Sequence, residues 1–118
     1  MPELIAAPTR VPVPGGKLID EFAGRVASGD DAVSVAVMNA PAGWSEPPQQ
    51  PDFDEVTVIL RGTMRVSHDA GSMTVAAGQA VITRAGERVQ FSVGAEGAHY
   101  VAVCVPAFDV GLAHREAE

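Results

Sequence analysis

The sequence predicts an all-β domain, an antiparallel sandwich or small barrel. Three observations carry this reading. The apolar runs are short and rich in β-branched residues, glycine-bearing turns separate them at regular spacing, and no long stretch keeps a helical period. With 118 residues, of which 47% are hydrophobic and 19% charged, the chain has enough apolar surface for one core and no room for a second domain.

The elements follow in order. Residues 1–16 hold four prolines and end in Gly15-Gly16, so they read as an extended arm or edge segment, because proline has no amide to give a central strand. Leu18 to Val26 fits either one helical turn or a short edge strand. Ser28 to Asp31 is turn chemistry. Ala32 to Met38 is a valine-rich strand, too apolar to be half solvated, and Asn39 to Gly43 breaks it. After the stretch 43–62, Arg61-Gly62-Thr63 reads as a tight turn. Met64 to Ser67 and Met73 to Ala76 then form a hairpin around His68–Ser72. Ala77-Gly78 is a turn, Ala80 to Thr83 a short strand, and Arg84 to Glu87 another turn. Arg88 to Val93 alternates weakly, Gly94 to Gly97 reads as a loop, and Ala98 to Val105 is the last long strand. The tail from Gly111 to Glu118 is polar, frayed or a short helix. The resulting division is an arm and edge segment over 1–30, a barrel over 31–108 and a tail over 109–118.

Eight basic residues against fifteen acidic ones give a net charge of −7, and the basic residues are scattered singly. A phosphate backbone or an anionic membrane needs a basic stripe, so neither nucleic acid nor membrane is expected as a partner. No apolar run approaches the ~20 residues of a membrane span, the N-terminus lacks the pattern of a secretory signal, and the single cysteine, Cys104, fits a reducing compartment. These features lead us to expect a cytoplasmic protein.

The densest set of constrained residues lies between Gly43 and Gly62. Gly43 is followed after five residues by Gln49, then by Pro51, Glu55 and, six residues further on, Gly62. A second segment places Gly78, Arg84-Ala85-Gly86, Val89 and Val93 at similar regular intervals. Together these segments resemble the two signature segments of the cupin superfamily, with Gly43, Glu55, Gly62, Gly78 and Gly86 at framework positions. The runs GWSEP, DFDE, AGQAVITRAGERVQFS and YVAVCVPAF are similar, more narrowly, to the small single-domain cupins related to the ethanolamine-utilisation cupin (Q) proteins. The resemblance implies a cupin-type jelly roll running from about Val33 to Pro106.

It also implies where a metal would sit. Metal-bearing cupins grip a transition metal with three histidines and a glutamate, all good donors when deprotonated. The histidine positions hold Gln49, Pro51 and Val89 here. Proline and valine have no donor, and Gln49 offers a neutral amide oxygen. Only Glu55 remains, so no metal and no other cofactor is expected. His68 reads as a hairpin-tip residue, His114 as a tail residue, and His99 as a strand residue near the barrel mouth.

Strand alternation puts Glu55, Thr57 and Ile59 on one face. By the resemblance that face points inward with Gln49, Pro51, Val89 and Phe91. Glu55 among apolar neighbours should have a raised pKa and suit proton transfer, with Gln49 orienting a ligand. The alternative is structural: Glu55 accepts hydrogen bonds from Tyr100, Gln49 or backbone amides. Trp44 walls the pocket or covers the rim, and Glu46 with the prolines after it shapes the mouth. Tyr100 shares a face with Ala102 and Cys104; the opposite face, with Val101 and Val103, reads as the core. Arg84 is a candidate for attracting an anion. Val56, Val58 and Leu60 form a second apolar face that needs covering, which points to a homodimer.

Three functions remain open. The first is a metal-independent small-molecule pocket, for binding or for acid/base chemistry of an isomerase or cyclase kind, with Glu55 and Gln49 as catalytic residues and Trp44, Thr57, Ile59, Val89, Phe91 and Tyr100 around the ligand. The second is a metalloenzyme rebuilt on Gln49, Glu55 and His99. The third is a non-catalytic accessory dimer.

Overall fold

Residues 1–117 are described by the structure, a computed structural model. It contains seven strands and one short helix: β1 (Thr9–Val11), β2 (Leu18–Ala23), β3 (Ser34–Ala40), β4 (Asp54–His68), β5 (Gly71–Ala76), β6 (Ala80–Thr83), β7 (Val89–Val105) and α1 (Val110–Ala113). All strand pairs are antiparallel, in the order β1-β2-β3-β7-β4-β5, with β6 pairing the first half of β4 on the same side as β5, away from β7. This is the all-β sandwich-barrel that the apolar runs predict. Leu18–Ala23 is a strand, and the segment before residue 31 thus lies along one edge of the sheet.

Two strands are longer than expected, and they build the barrel. The tight turn at Arg61-Gly62-Thr63 and the loop at Gly94–Gly97 are both absent: β4 and β7 run straight through them. The register shifts between Ile59 and Arg61 and again between Gly62 and Met64. These bulges bend the pair, as inserted residues do. On one side of the bend, Asp54–Ile59 and Ala98–Val105 lie between β3 and β6. On the other, Met64–His68 and Val89–Val93 lie between β5 and the segment 44–49, which bonds to the main chain of Val89, Phe91 and Val93. Each long strand therefore serves both layers.

Glycine is required at the bend. Gly62 (φ 78°) and Gly97 (φ 71°) both lie in the left-handed region. A Cβ on Gly62 would run into the carbonyl oxygen of Gly97, and one on Gly97 would come within 2.6 Å of the Ala40 oxygen. A side chain at either position is excluded by backbone, which cannot step aside.

Between the layers sits a core of Ile59, Met64, Val66, Val75, Val81, Val89, Phe91 and Tyr100. A second cluster joins Phe53 and Cys104 to Phe108, Leu112 and Ala113 of the chain's last turn. The inner and outer faces of β7 are the reverse of the expectation. Tyr100, Ala102 and Cys104 are buried and face inward, while Val101 and Val103 are only half-buried on the outer side. Apolarity alone misleads here, because the inward face has to be small or polar to leave space.

Gly62→Ala should lower stability by about 3 kcal/mol or more, combining left-handed strain with overpacking. Urea unfolding monitored by circular dichroism measures this; a loss below ~1 kcal/mol would mean the bend does not need glycine.

Candidate functional site

The space between the layers holds a cavity of about 510 Å³, within the range of small-ligand sites. Its walls are Ile19 and Glu21 of β2, Ala36 and Met38 of β3, Glu55, Thr57 and Met64 of β4, Phe91, Tyr100 and Cys104 of β7, with Lys17, Trp44, Glu46 and Gln49 from loops and Arg115 from the tail.

Among the residues expected around a ligand, Trp44, Gln49, Glu55, Thr57, Phe91 and Tyr100 line this cavity. Ile59 and Val89 do not; they are buried behind it at 0% and 2% exposure and hold the wall in place. Pro51 is also buried and off the lining.

Glu55 lies deep in the protein but keeps some accessibility because it opens onto the cavity. Desolvation pushes its pKa up, and the neighbouring Glu46 adds to this. The hydroxyl of Thr57, donating at 3.0 Å, and Lys17 act in the opposite direction. Thr57 is thus its hydrogen-bond donor; no bond from Tyr100 or Gln49 supports it. Alternation explains the pairing, since residues two apart on a strand share a face.

Gln49 is clamped from three sides. Its amide bonds to the Val89 carbonyl at 2.8 Å, its carbonyl accepts from Val89 at 2.9 Å, and its Oε1 accepts from Arg115 at 3.2 Å. The same guanidinium forms an ion pair with Glu46 at 2.9 Å. Glu46 does more than shape the mouth: it is 8% exposed and burial pushes its carboxyl upward despite Lys17 and Arg115 nearby.

Two cavity residues escape sequence reasoning. Arg115 lies in a tail that reads as frayed, yet backbone bonds from Asp52 to Leu112 and from Glu116 to Pro48 dock that tail against the mouth. Nothing local signals a contact across 66 residues. Lys17 immediately precedes β2, and its Nζ stands 4.4 Å from the centroid of the Trp44 ring and 5.6 Å from that of Tyr100. One signal was available, because it is the only lysine among the eight basic residues. Burial lowers its pKa, while Glu46 and Glu55 partly restore it.

Other candidates fall away. His99 pairs with Asn39 and Arg61 on the outer face and does not line the cavity, so a centre of Gln49, Glu55 and His99 cannot form. His68 ends β4, and His114 is exposed against Asp52 at 2.6 Å. Arg84 is exposed beside Asp54 at 3.6 Å, away from the cavity. Cys104 is buried and its thiol is pushed up by desolvation and Glu55, which leaves it unreactive. The residues present do not fit the family's metal: Gln49, Pro51 and Val89 stand at the histidine positions. Among the described residues no group of three or more His, Cys, Asp or Glu could hold an ion.

A carboxyl raised above its ordinary 4.5 in the folded state keeps its proton where the unfolded chain has lost it. The folded protein then binds more protons, so stability is greatest below the unfolded value and falls as pH rises through the window. Glu55→Gln removes this cost. Its melting temperature at pH 7 should exceed that of the wild type, with the two converging near pH ~4, each unit of displacement being worth about 1.4 kcal/mol. Thermal melts between those pH values measure it; a variant less stable at pH 7 would show that the carboxylate is held ionised.

Comparison with known proteins follows the same lines. Residues 30–109 match the family model described as ethanolamine utilisation protein EutQ. A curated relative, endoribonuclease YbeY of Myxococcus xanthus, is 41% identical over 107 residues, which is 90% of this chain but 36% of that protein. The chain thus spans about a third of that relative's length. Two solved structures share the fold: the ethanolamine utilization protein Q of Salmonella typhimurium (TM-score 0.63, 19% identity, 78% of this chain and 71% of that one), and KdgF from Halomonas (TM-score 0.73, 13% identity, 88% and 91%). With more than half its length matched by that family, and with these folds as neighbours, the chain belongs to the EutQ family of small cupins.

Proposed function

We propose that this cupin binds a small organic molecule in its barrel without a metal and that Glu55 moves a proton on it. One observation carries the reading: a carboxyl group whose burial favours the neutral form opens onto a cavity with mostly apolar walls. Such a group gives or takes a proton near neutral pH. Gln49, with its Oε1 engaged by Arg115, keeps its amide hydrogens for a ligand and orients it. Trp44, Phe91 and Tyr100 supply flat apolar surface. Isomerisation and cyclisation need only this equipment, a proton donor-acceptor and a shaped dry site. The cavity speaks against a purely accessory scaffold, whose barrel its own side chains would fill. The nuclease name belongs to the whole of a longer relative, and the acidic balance here does not favour carrying it over.

The test combines metal content with ligand response. Untagged protein should contain well under one equivalent of iron, manganese, nickel or zinc; near-stoichiometric metal lost in Glu55→Ala would sink the reading. Compounds that raise the melting temperature should then be tested for turnover, which should fall about 100-fold or more in Glu55→Gln. Turnover unchanged by that substitution would reduce Glu55 to a structural role.

We further propose that the domain works as a homodimer. Across β3, β7 and β4, Val35, Val103 and Val56 stand in one row and Val37, Val101 and Val58 in the next, all half-buried, with Ile82 and Leu60 beside them at 52% and 50% exposure. A two-row valine face of this kind marks an interface rather than a solvated surface. Val101→Glu should shift the protein to a monomer in analytical ultracentrifugation with unchanged circular dichroism. Wild type that already sediments as a monomer at ~10 μM would overturn this.

A further inference from the structure

Seven of the eight basic residues are arginine; the exception, Lys17, is the one held inside the barrel against aromatic rings. Arginine would supply positive charge there more permanently, since a guanidinium does not lose its proton. What lysine adds is an amine that can become neutral and nucleophilic.

Its surroundings suit that use. Among the described residues no carboxylate oxygen lies within 4.0 Å of Nζ, so no ion pair locks the ammonium. Glu46 is occupied by Arg115 at 2.9 Å and Glu55 by Thr57 at 3.0 Å. Burial lowers the affinity of Nζ for its proton. The faces of Trp44 and Tyr100 at 4.4 and 5.6 Å stabilise a cation without solvating it, and an iminium is a cation that such faces accept as well.

We propose that Lys17 captures a small aldehyde or ketone as an imine inside the barrel. The Nζ lone pair forms the C–N bond while the carbonyl π pair moves onto oxygen. That oxygen leaves as water, taking one proton from the attacking nitrogen and one from the Glu55 carboxyl. The products are an N-protonated iminium, a Glu55 carboxylate and water, with no oxidant or reductant consumed. Capture is a property of Lys17; the help from Glu55 rests on the acid/base role proposed above.

The absence of any other lysine makes the test direct. The protein is incubated with butanal and sodium cyanoborohydride beside Nα-acetyl-lysine as reference amine, and peptide mass spectrometry follows alkylation of Lys17. Lys17 should be alkylated at least ten-fold faster than the reference; an equal or slower rate overturns the proposal. Trp44→Leu, checked for folding by circular dichroism, should slow alkylation several-fold by removing one aromatic face, and an unchanged rate counts against the iminium site. In Glu55→Gln, slower alkylation of Lys17 supports both roles. Selective alkylation at the wild-type rate supports capture by Lys17 and counts against Glu55 alone.

Discussion

The fold depends on a steric constraint where β4 and β7 cross. A Cβ on Gly62 of β4 would strike the backbone of β7 at Gly97, and one on Gly97 would strike the backbone of β3 at Ala40, so neither fits. Because the strands can bend there without breaking, each contributes to both layers, and the two layers close on a space instead of lying flat. The bulges shift the alternation at the bend, so that inward positions are odd-numbered before it and even-numbered after it in β4. Glu55 and Thr57 before it and Met64 after it all face the same interior.

That interior is a place where opposite electrostatic tendencies meet. Desolvation disfavours charge on three of its groups, pushing Glu55 and Glu46 up and Lys17 down. Mutual attraction pulls them back. Glu46 and Arg115 settle the contest by touching, whereas Glu55 and Lys17 interact across open space. An acid and an amine kept apart are each less strongly held in the charged form than the partners of an ion pair.

The fold class was legible because framework spacing and strand alternation are local. Gly43, Glu55, Gly62, Gly78 and Gly86 can be counted along the chain, and Glu55 with Thr57 follows from a period of two. The bend was misread because Gly62 and Gly97 resemble turn glycines; that they face each other is a fact about two strands, invisible in either. The valine face of β7 was assigned to the core because burial is inferred from apolarity. A barrel that encloses a cavity reverses this, with Tyr100, Ala102 and Cys104 inward and Val101 and Val103 outward. Lys17 and Arg115 were missed because each reaches the cavity from a segment with no pattern of its own.

The docked tail has a bearing on biosynthesis. The guanidinium that pairs with Glu46 and bonds Gln49 arrives 66 residues after Gln49, and the Lys17 amine comes from just before β2. Until residue 115 has left the ribosome, the chain has Lys17, Glu46 and Glu55 but lacks Arg115. Before that point Glu46 has Lys17 nearby but lacks its ion pair. The contacts of Arg115 with Glu46 and Gln49 can therefore form only once the tail has been made, and a chain that stops short of residue 115 would lack them.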